Sequence, residues 1–223
     1  ALLAVMDSIE VTLRRTAAAA ALAARYLARK ESQTVLICGC GEQGRAQLAA
    51  LQAVLPVKRW LSWDRDADRA KRFTHETGAE AIAAPGDGAG LDVIVTCTTA
   101  SEPFLARANV APGAFVAAVG ADSPHKHEIA PDLFDAALVV ADALDQCAAM
   151  GDLHHALKAG YCRERVHAEL AELVSGAKPG RTSDAQITLF DSTGTALQDV
   201  AAAAMIYERA LAQGAGRCMT FGG

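Results

Sequence analysis

Two periodicities alternate along the chain. From Ile9 to Arg29 helix formers dominate without Pro or Gly, and the preceding Asp7-Ser8 pair suits a helix cap. A first, alanine-rich helix is predicted there. Thr34-Val35-Leu36-Ile37-Cys38 is then a short apolar, β-branched run, the pattern of a strand buried on both faces. Arg45–Val54 reads as a helix ended by Pro56, Arg59–Trp63 as a second strand, and Ala67–Thr77 as an amphipathic helix closed by Gly78. Ala84–Gly90 is a loop by composition. Leu91–Thr96, Ala114–Val119 and Asp135–Val140 supply three further strands, followed by a helix over Glu164–Val174 and the linker-like Ser175–Gly180. The pattern closes with a strand at Gln186–Phe190, a turn at Asp191–Gly194 and a long helix over Leu197–Ala212. Strands alternating with helices predict an α/β protein with a doubly wound, parallel Rossmann-type sheet, expected from about Gln33 to Val140.

The loop after the first strand, Gly39-Cys40-Gly41-Glu42-Gln43-Gly44, fits G-x-G-x-x-G. In such a loop the first glycine makes a tight turn, the second lets backbone approach a pyrophosphate, and the third lets helix pack on strand. The helix N-terminus behind it offers free N–H groups to phosphate. Asp64, 20 residues beyond Gly44, stands at the end of the next strand, where a carboxylate would hold ribose hydroxyls. A plain turn with a surface Asp is the bland alternative. Asp64 favours NAD over NADP, since a carboxylate repels a 2′-phosphate, although Arg65 beside it leaves NADP possible. Thr96-Cys97-Thr98-Thr99 ends the third strand on the same ligand-binding edge. Cys40 is either a thiol activated by the helix N-terminus or a small residue tolerated in a turn.

Composition narrows the partners. The 223 residues are 52% hydrophobic but 5% aromatic, with a formal charge of −5, which is globular composition. No basic stripe points to nucleic acid. The longest apolar run, Thr16–Leu27, is broken by Arg25 and falls short of the roughly 20 residues of a membrane span. With no secretory pattern and six scattered cysteines, a cytoplasmic, reduced protein is expected. His125, His127, His154 and His155 lack the spacing of a shared metal site, so no metal is expected.

Several segments resemble the ornithine cyclodeaminase/mu-crystallin family. They are Ala4-Val5-Met6-Asp7, Thr12–Ala18, the glycine loop with Gln43, Asp92–Thr96, Gly120–Ile129, Gly180-Arg181-Thr182-Ser183-Asp184 and Phe190–Gly194, in the family's order. The resemblance implies that Arg15, Glu42, Gln43, Asp64, Thr98, Val119, Lys126 and Ser192 lie at or near a dinucleotide, with Gly39, Gly41 and Gly44 cradling it. It makes Asp122 the catalytic aspartate. It further implies an NAD-dependent enzyme acting on a small amino-acid or cyclic imino-acid substrate, in the manner of ornithine cyclodeaminase, which converts ornithine to proline and ammonia. Alanine dehydrogenase, pyrroline-2-carboxylate (ketimine) reductase and a non-catalytic, mu-crystallin-like binding protein are the alternatives; Asp122 speaks against the last. Residues 30–190 would form the dinucleotide-binding domain, and 1–29 with 191–223 the remnant of a substrate and dimerisation domain. In the family about a further third of the chain precedes the residue equivalent to Ala1, so the family's homodimer is expected to be compromised here.

Overall fold

The computed structural model describes residues 2–87 and 90–219. Within them one sheet contains β1 (Thr34–Cys38), β2 (Arg59–Trp63), β3 (Glu80–Ala81), β4 (Val93–Thr96), β5 (Phe115–Ala118), β6 (Ala137–Ala141), β7 (Ala168–Glu169) and β8 (Ile187–Asp191). Its order is β3-β2-β1-β4-β5-β8-β6-β7, and every pairing is parallel. The helices are α1 (Ser8–Leu27), α2 (Glu42–Gln52), α3 (Ala67–Thr77), α4 (Pro131–Ala136), α5 (Leu144–Met150), α6 (Asp152–Lys158), α7 (Leu170–Val174) and α8 (Ala196–Gln213). The chain is an α/β protein with a doubly wound, Rossmann-type sheet.

Strand alternation explains the layering. Val35, Ile37, Val93, Val95, Phe115 and Phe190 face one core with α1, α2 and α3, while Leu36, Ile94, Val116, Val139 and Leu189 face another with α4, α5 and α6. On α1, Ala20, Ala23, Ala24 and Leu27 are buried in the first core, where small side chains admit close helix contact. Asp7 caps this helix by accepting from the N–H of Ile9 at 2.8 Å. α8 lies against α1 and has no buried residue. Arg181 is structural: its Nε donates to the carbonyl of Leu27 at 2.7 Å, and Nη2 donates to Ala114 O and Thr188 Oγ1. It thereby ties the end of α1 to β5 and β8.

The structure departs from the sequence reading in places. The sheet extends past Val140, because β8 inserts between β5 and β6 and β7 forms the far edge. The helix expected over Glu164–Val174 is instead a 3-10 turn at Arg163–Arg165, the strand β7 and the short helix α7. Edge pairing overrides helix propensity there: the N–H of His167 donates to Val139 O at 2.8 Å. The expected loop at Ala84–Gly90 contains a 3-10 turn at Pro85–Asp87, and its residues 88 and 89 lie outside the described residues, as do Ala1 and residues 220–223 of the chain's ends.

Candidate functional site

One register row crosses the sheet through Trp63, Cys38, Thr96, Ala118, Asp191 and Ala141. The residues that follow, Asp64, Gly39, Cys97, Val119, Ser192 and Asp142, therefore leave the sheet along one edge. β1 has β2 on one side and β4 on the other, so the strand order reverses there, and the crevice outside these strand ends is where open α/β sheets take ligands.

The glycine loop turns at this point. Gly39 has φ +111°, and a Cβ on it would lie 2.6 Å from the carbonyl oxygen of Cys97. A Cβ on Gly44 would lie 2.1 Å from Gly39 O, so α2 approaches the turn as only glycine allows. Gly41 differs, since a Cβ there meets nothing within 4 Å. Nothing in the protein requires glycine at that position, and the open space beside it lies at the helix N-cap, which no side chain caps. Asp64 turns onto the loop, with Oδ2 accepting from Cys40 N–H at 2.9 Å and Oδ1 from Asp66 N–H at 2.9 Å. Cys40 is buried, and burial pushes its thiol up to about 11, with the Asp64 carboxylate adding to the shift. It is a small residue in a turn, not an activated thiol.

A cleft of about 220 Å³ opens in front of this loop, lined by Arg15, Gln43, Thr98, Val119, Asp122, Lys126 and Ser192 among others. Seven residues singled out from the sequence thus converge. Glu42 and Asp64 do not line the cleft; Glu42 is exposed and pairs with Arg45 at 3.4 Å. Arg15 donates to Asp199 at 2.9 Å and Gln198 at 3.3 Å, which fixes its guanidinium between α1 and α8. The carboxylate of Asp122 is 57% exposed and pairs with Lys126 Nζ at 2.7 Å. Ser192 Oγ donates to Asp142 Oδ2 at 2.8 Å, and the same oxygen accepts from Gly194 N–H at 2.7 Å. Asp142 therefore ties down the loop after β8. Gln43 Nε2 is buried without a hydrogen-bond partner. An unpartnered donor on the cleft and an unfilled cradle at Gly41 are what a bound dinucleotide would satisfy, so the residues fit such a cofactor. A second hollow, about 480 Å³, lies at the amino ends of β6 and β8 and is lined by none of these groups.

Three buried acids behind the cleft escaped the sequence reading. Glu128 accepts from Thr96 Oγ1, Thr98 N–H, Thr98 Oγ1 and Gly120 N–H. Asp152 Oδ1 accepts from the N–H groups of Glu128 and Ile129, and Asp191 Oδ2 from that of Leu153. Burial raises the pKa of all three. No local pattern marks them, because their donors come from segments far apart in sequence. The histidines gather more than expected: the His127 and His155 rings stack with centroids 4.0 Å apart, and burial lowers the pKa of both. Among the described residues no group of three or more His, Cys, Asp or Glu is placed to hold a metal ion.

Comparison with known proteins agrees with this architecture. The profile of the ornithine cyclodeaminase/mu-crystallin family matches residues 1–214. The chain belongs to that family. It is 39% identical to an alanine dehydrogenase of Archaeoglobus fulgidus, over 98% of this chain and 70% of that protein. Among solved structures it resembles an archaeal alanine dehydrogenase dimer with bound NAD, with a TM-score of 0.91 and 38% identity over 97% of this chain and 69% of the other. It also resembles a lysine cyclodeaminase solved to explain recognition of L-lysine, L-ornithine and L-2,4-diaminobutyric acid, with a TM-score of 0.87 and 33% identity over 97% and 64% of the two chains. The chain spans about two thirds of the length of such relatives.

Proposed function

We propose that the cleft binds NAD(H) and that the protein belongs to an enzyme performing hydride transfer at the α-carbon of a small amino or imino acid. The observation that carries this reading is the convergence of Arg15, Gln43, Thr98, Val119, Asp122, Lys126 and Ser192 in front of the glycine turn. The open space at Gly41 and the free N–H groups of the first turn of α2 suit a pyrophosphate. Asp64 stands at the end of β2 to meet ribose hydroxyls, which favours NAD over NADP. The cofactor, when bound, supplies the hydride acceptor or donor. The chain's own residues orient and move protons: Arg15 and Lys126 bring positive charge to the cleft, and Asp122, paired with Lys126 and open to solvent, exchanges protons with a substrate amine.

Cyclodeamination of ornithine is the first form of this chemistry to test, with alanine dehydrogenase or imino-acid reductase chemistry as the other. Asp122 matches the cyclodeaminases' aspartate but does not choose between them, since alanine dehydrogenases can also carry Asp there. Cofactor accounting separates the two. Ammonia released with no net change in NADH absorbance supports cyclodeamination, and one-for-one NADH change supports a dehydrogenase or reductase. The binding step is tested by titrating NADH and NADPH into the protein and its Asp64→Ala variant. Loss of a charge-assisted hydrogen-bond pair, on the order of 1.5–3 kcal/mol, should weaken NADH about tenfold or more and NADPH less. Equal NADH affinity in the variant removes Asp64 from the site.

A further inference from the structure

The last rung between β4 and β5 is the bond from Val119 N–H to Thr96 O at 2.9 Å. Past it the two strand ends separate, and the N–H groups of Thr98 and Gly120 have left the ladder. Both turn to the same side chain. Glu128 Oε1 accepts from Thr98 N–H at 2.6 Å and Thr98 Oγ1 at 2.7 Å, while Oε2 accepts from Thr96 Oγ1 at 2.7 Å and Gly120 N–H at 3.0 Å. A carboxylate offers about four acceptor sites, and all four are used. Glu128 is fully buried and does not line the cleft, whereas Thr98 and Gly120 do. Gly120 is glycine for the same reason, since a Cβ there would lie 2.5–2.6 Å from the Glu128 carboxylate.

Glu128 is itself clamped. Its N–H donates to Asp152 Oδ1 at 2.8 Å, and its carbonyl accepts from Phe104 and Leu105 at 3.0 and 3.1 Å. A buried charge is costly and packing alone does not call for one. Here the carboxyl gathers donors from the two strand ends that form the cleft's floor.

We propose that Glu128 is the positioning residue of the cleft: it ties the ends of β4 and β5 together and so fixes how Thr98, Val119 and Gly120 meet a bound dinucleotide. This rests on the dinucleotide reading above. Glu128→Gln keeps the shape, yet whichever way its amide turns, the NH₂ faces the N–H of Thr98 or of Gly120. The folded variant should bind NADH about tenfold more weakly, and the Thr98 and Gly120 amides should exchange with solvent about tenfold faster, the cost of one unsatisfied buried donor. Exchange in β1 should not change. Thr96→Val removes one donor from Oε2 without touching the cleft, and should shift both readouts in the same direction by a few-fold. Leu133→Ala, a core truncation in α4, should lower the melting temperature and leave both readouts alone.

Wild-type NADH affinity in folded Glu128→Gln overturns the proposal, as does equal weakening by Leu133→Ala. If Glu128→Gln does not fold, unchanged affinity in Thr96→Val overturns it. Absence of NADH binding in the wild-type protein removes the dinucleotide reading and this inference with it. Binding by the wild type with no loss in the variants removes the inference alone.

Discussion

Asp191 ends β8 fully buried, with Oδ2 accepting from Leu153 N–H at 2.9 Å and Oδ1 without a partner. Burial, with Asp142 nearby, pushes its carboxyl up to about 7. Between about pH 4, where the unfolded carboxyl titrates, and about 7, the native state holds a proton that the unfolded chain has lost. Asp191 therefore makes stability fall as pH rises through that window and level off above it. His127 and His155, whose pKa is lowered by burial, act oppositely below about 6.5, so the comparison is made against Asp191→Asn. That variant should melt higher than wild type at pH 8, with the gap shrinking towards pH 5. At roughly 2–4 °C per kcal/mol for a chain of this size, calorimetry resolves it. A gap independent of pH would mean that Asp191 is already ionised in the native protein. Asp122 lies at the opposite extreme, exposed beside Lys126. In an active preparation Asp122→Asn should lower turnover about 10²–10⁴-fold, the usual yield of acid–base catalysis, with NADH affinity nearly unchanged. Near-normal turnover would make it a turn residue.

At the scale of elements, α1 sets the tightest packing condition. Ala20, Ala23 and Ala24 are buried against the sheet and α2, whereas Ala18 faces outward. Ala23→Leu should cost about 1–3 kcal/mol in urea unfolding, and Ala18→Leu should stay within about 0.5 kcal/mol. Equal costs would place Ala23 outside the contact. The same burial explains what was legible in the sequence. The runs Thr34–Cys38 and Arg59–Trp63 could be read to the residue, because interior parallel strands are short, apolar and bounded by turn chemistry. β7 could not, since two residues held by pairing with β6 leave no period to detect. The glycine turn was legible because close approach of backbone demands glycine at Gly39 and Gly44, and Asp64 because it directly follows the short strand β2. Glu128, Asp152 and Asp191 were not, because their partners are brought together only by the completed sheet.

Across the whole molecule, apolar surface remains uncovered. Leu197, Val200, Ala204 and Leu211 recur at helical spacing along α8 and are exposed, as are Leu2, Leu3, Val5 and Ile9. Patches of more than a few hundred Å² are uncommon on monomers. Light scattering of this chain should show concentration-dependent association in place of a single monodisperse dimer, and Leu197→Glu with Leu211→Glu should suppress it. A stable dimer unaffected by those changes would place the association surface elsewhere.

The position of β8 between β5 and β6 has a consequence for how the protein is made. The half from β3 through β5 can assemble from chain already synthesised, but β6 and β7 have no place to dock until Ile187–Asp191 leaves the ribosome. At about 5–20 residues per second, the stretch from Ala118 to Asp191 takes roughly 4–15 s. Throughout that interval β5 presents an open edge, and β6, once made, has only the two-residue β7 to pair with on one side while its other edge stays open, features that invite aggregation in a nascent chain. Ribosome-stalled chains ending just before Ile187 should therefore be held by chaperones, and chains extended past Asp191 released.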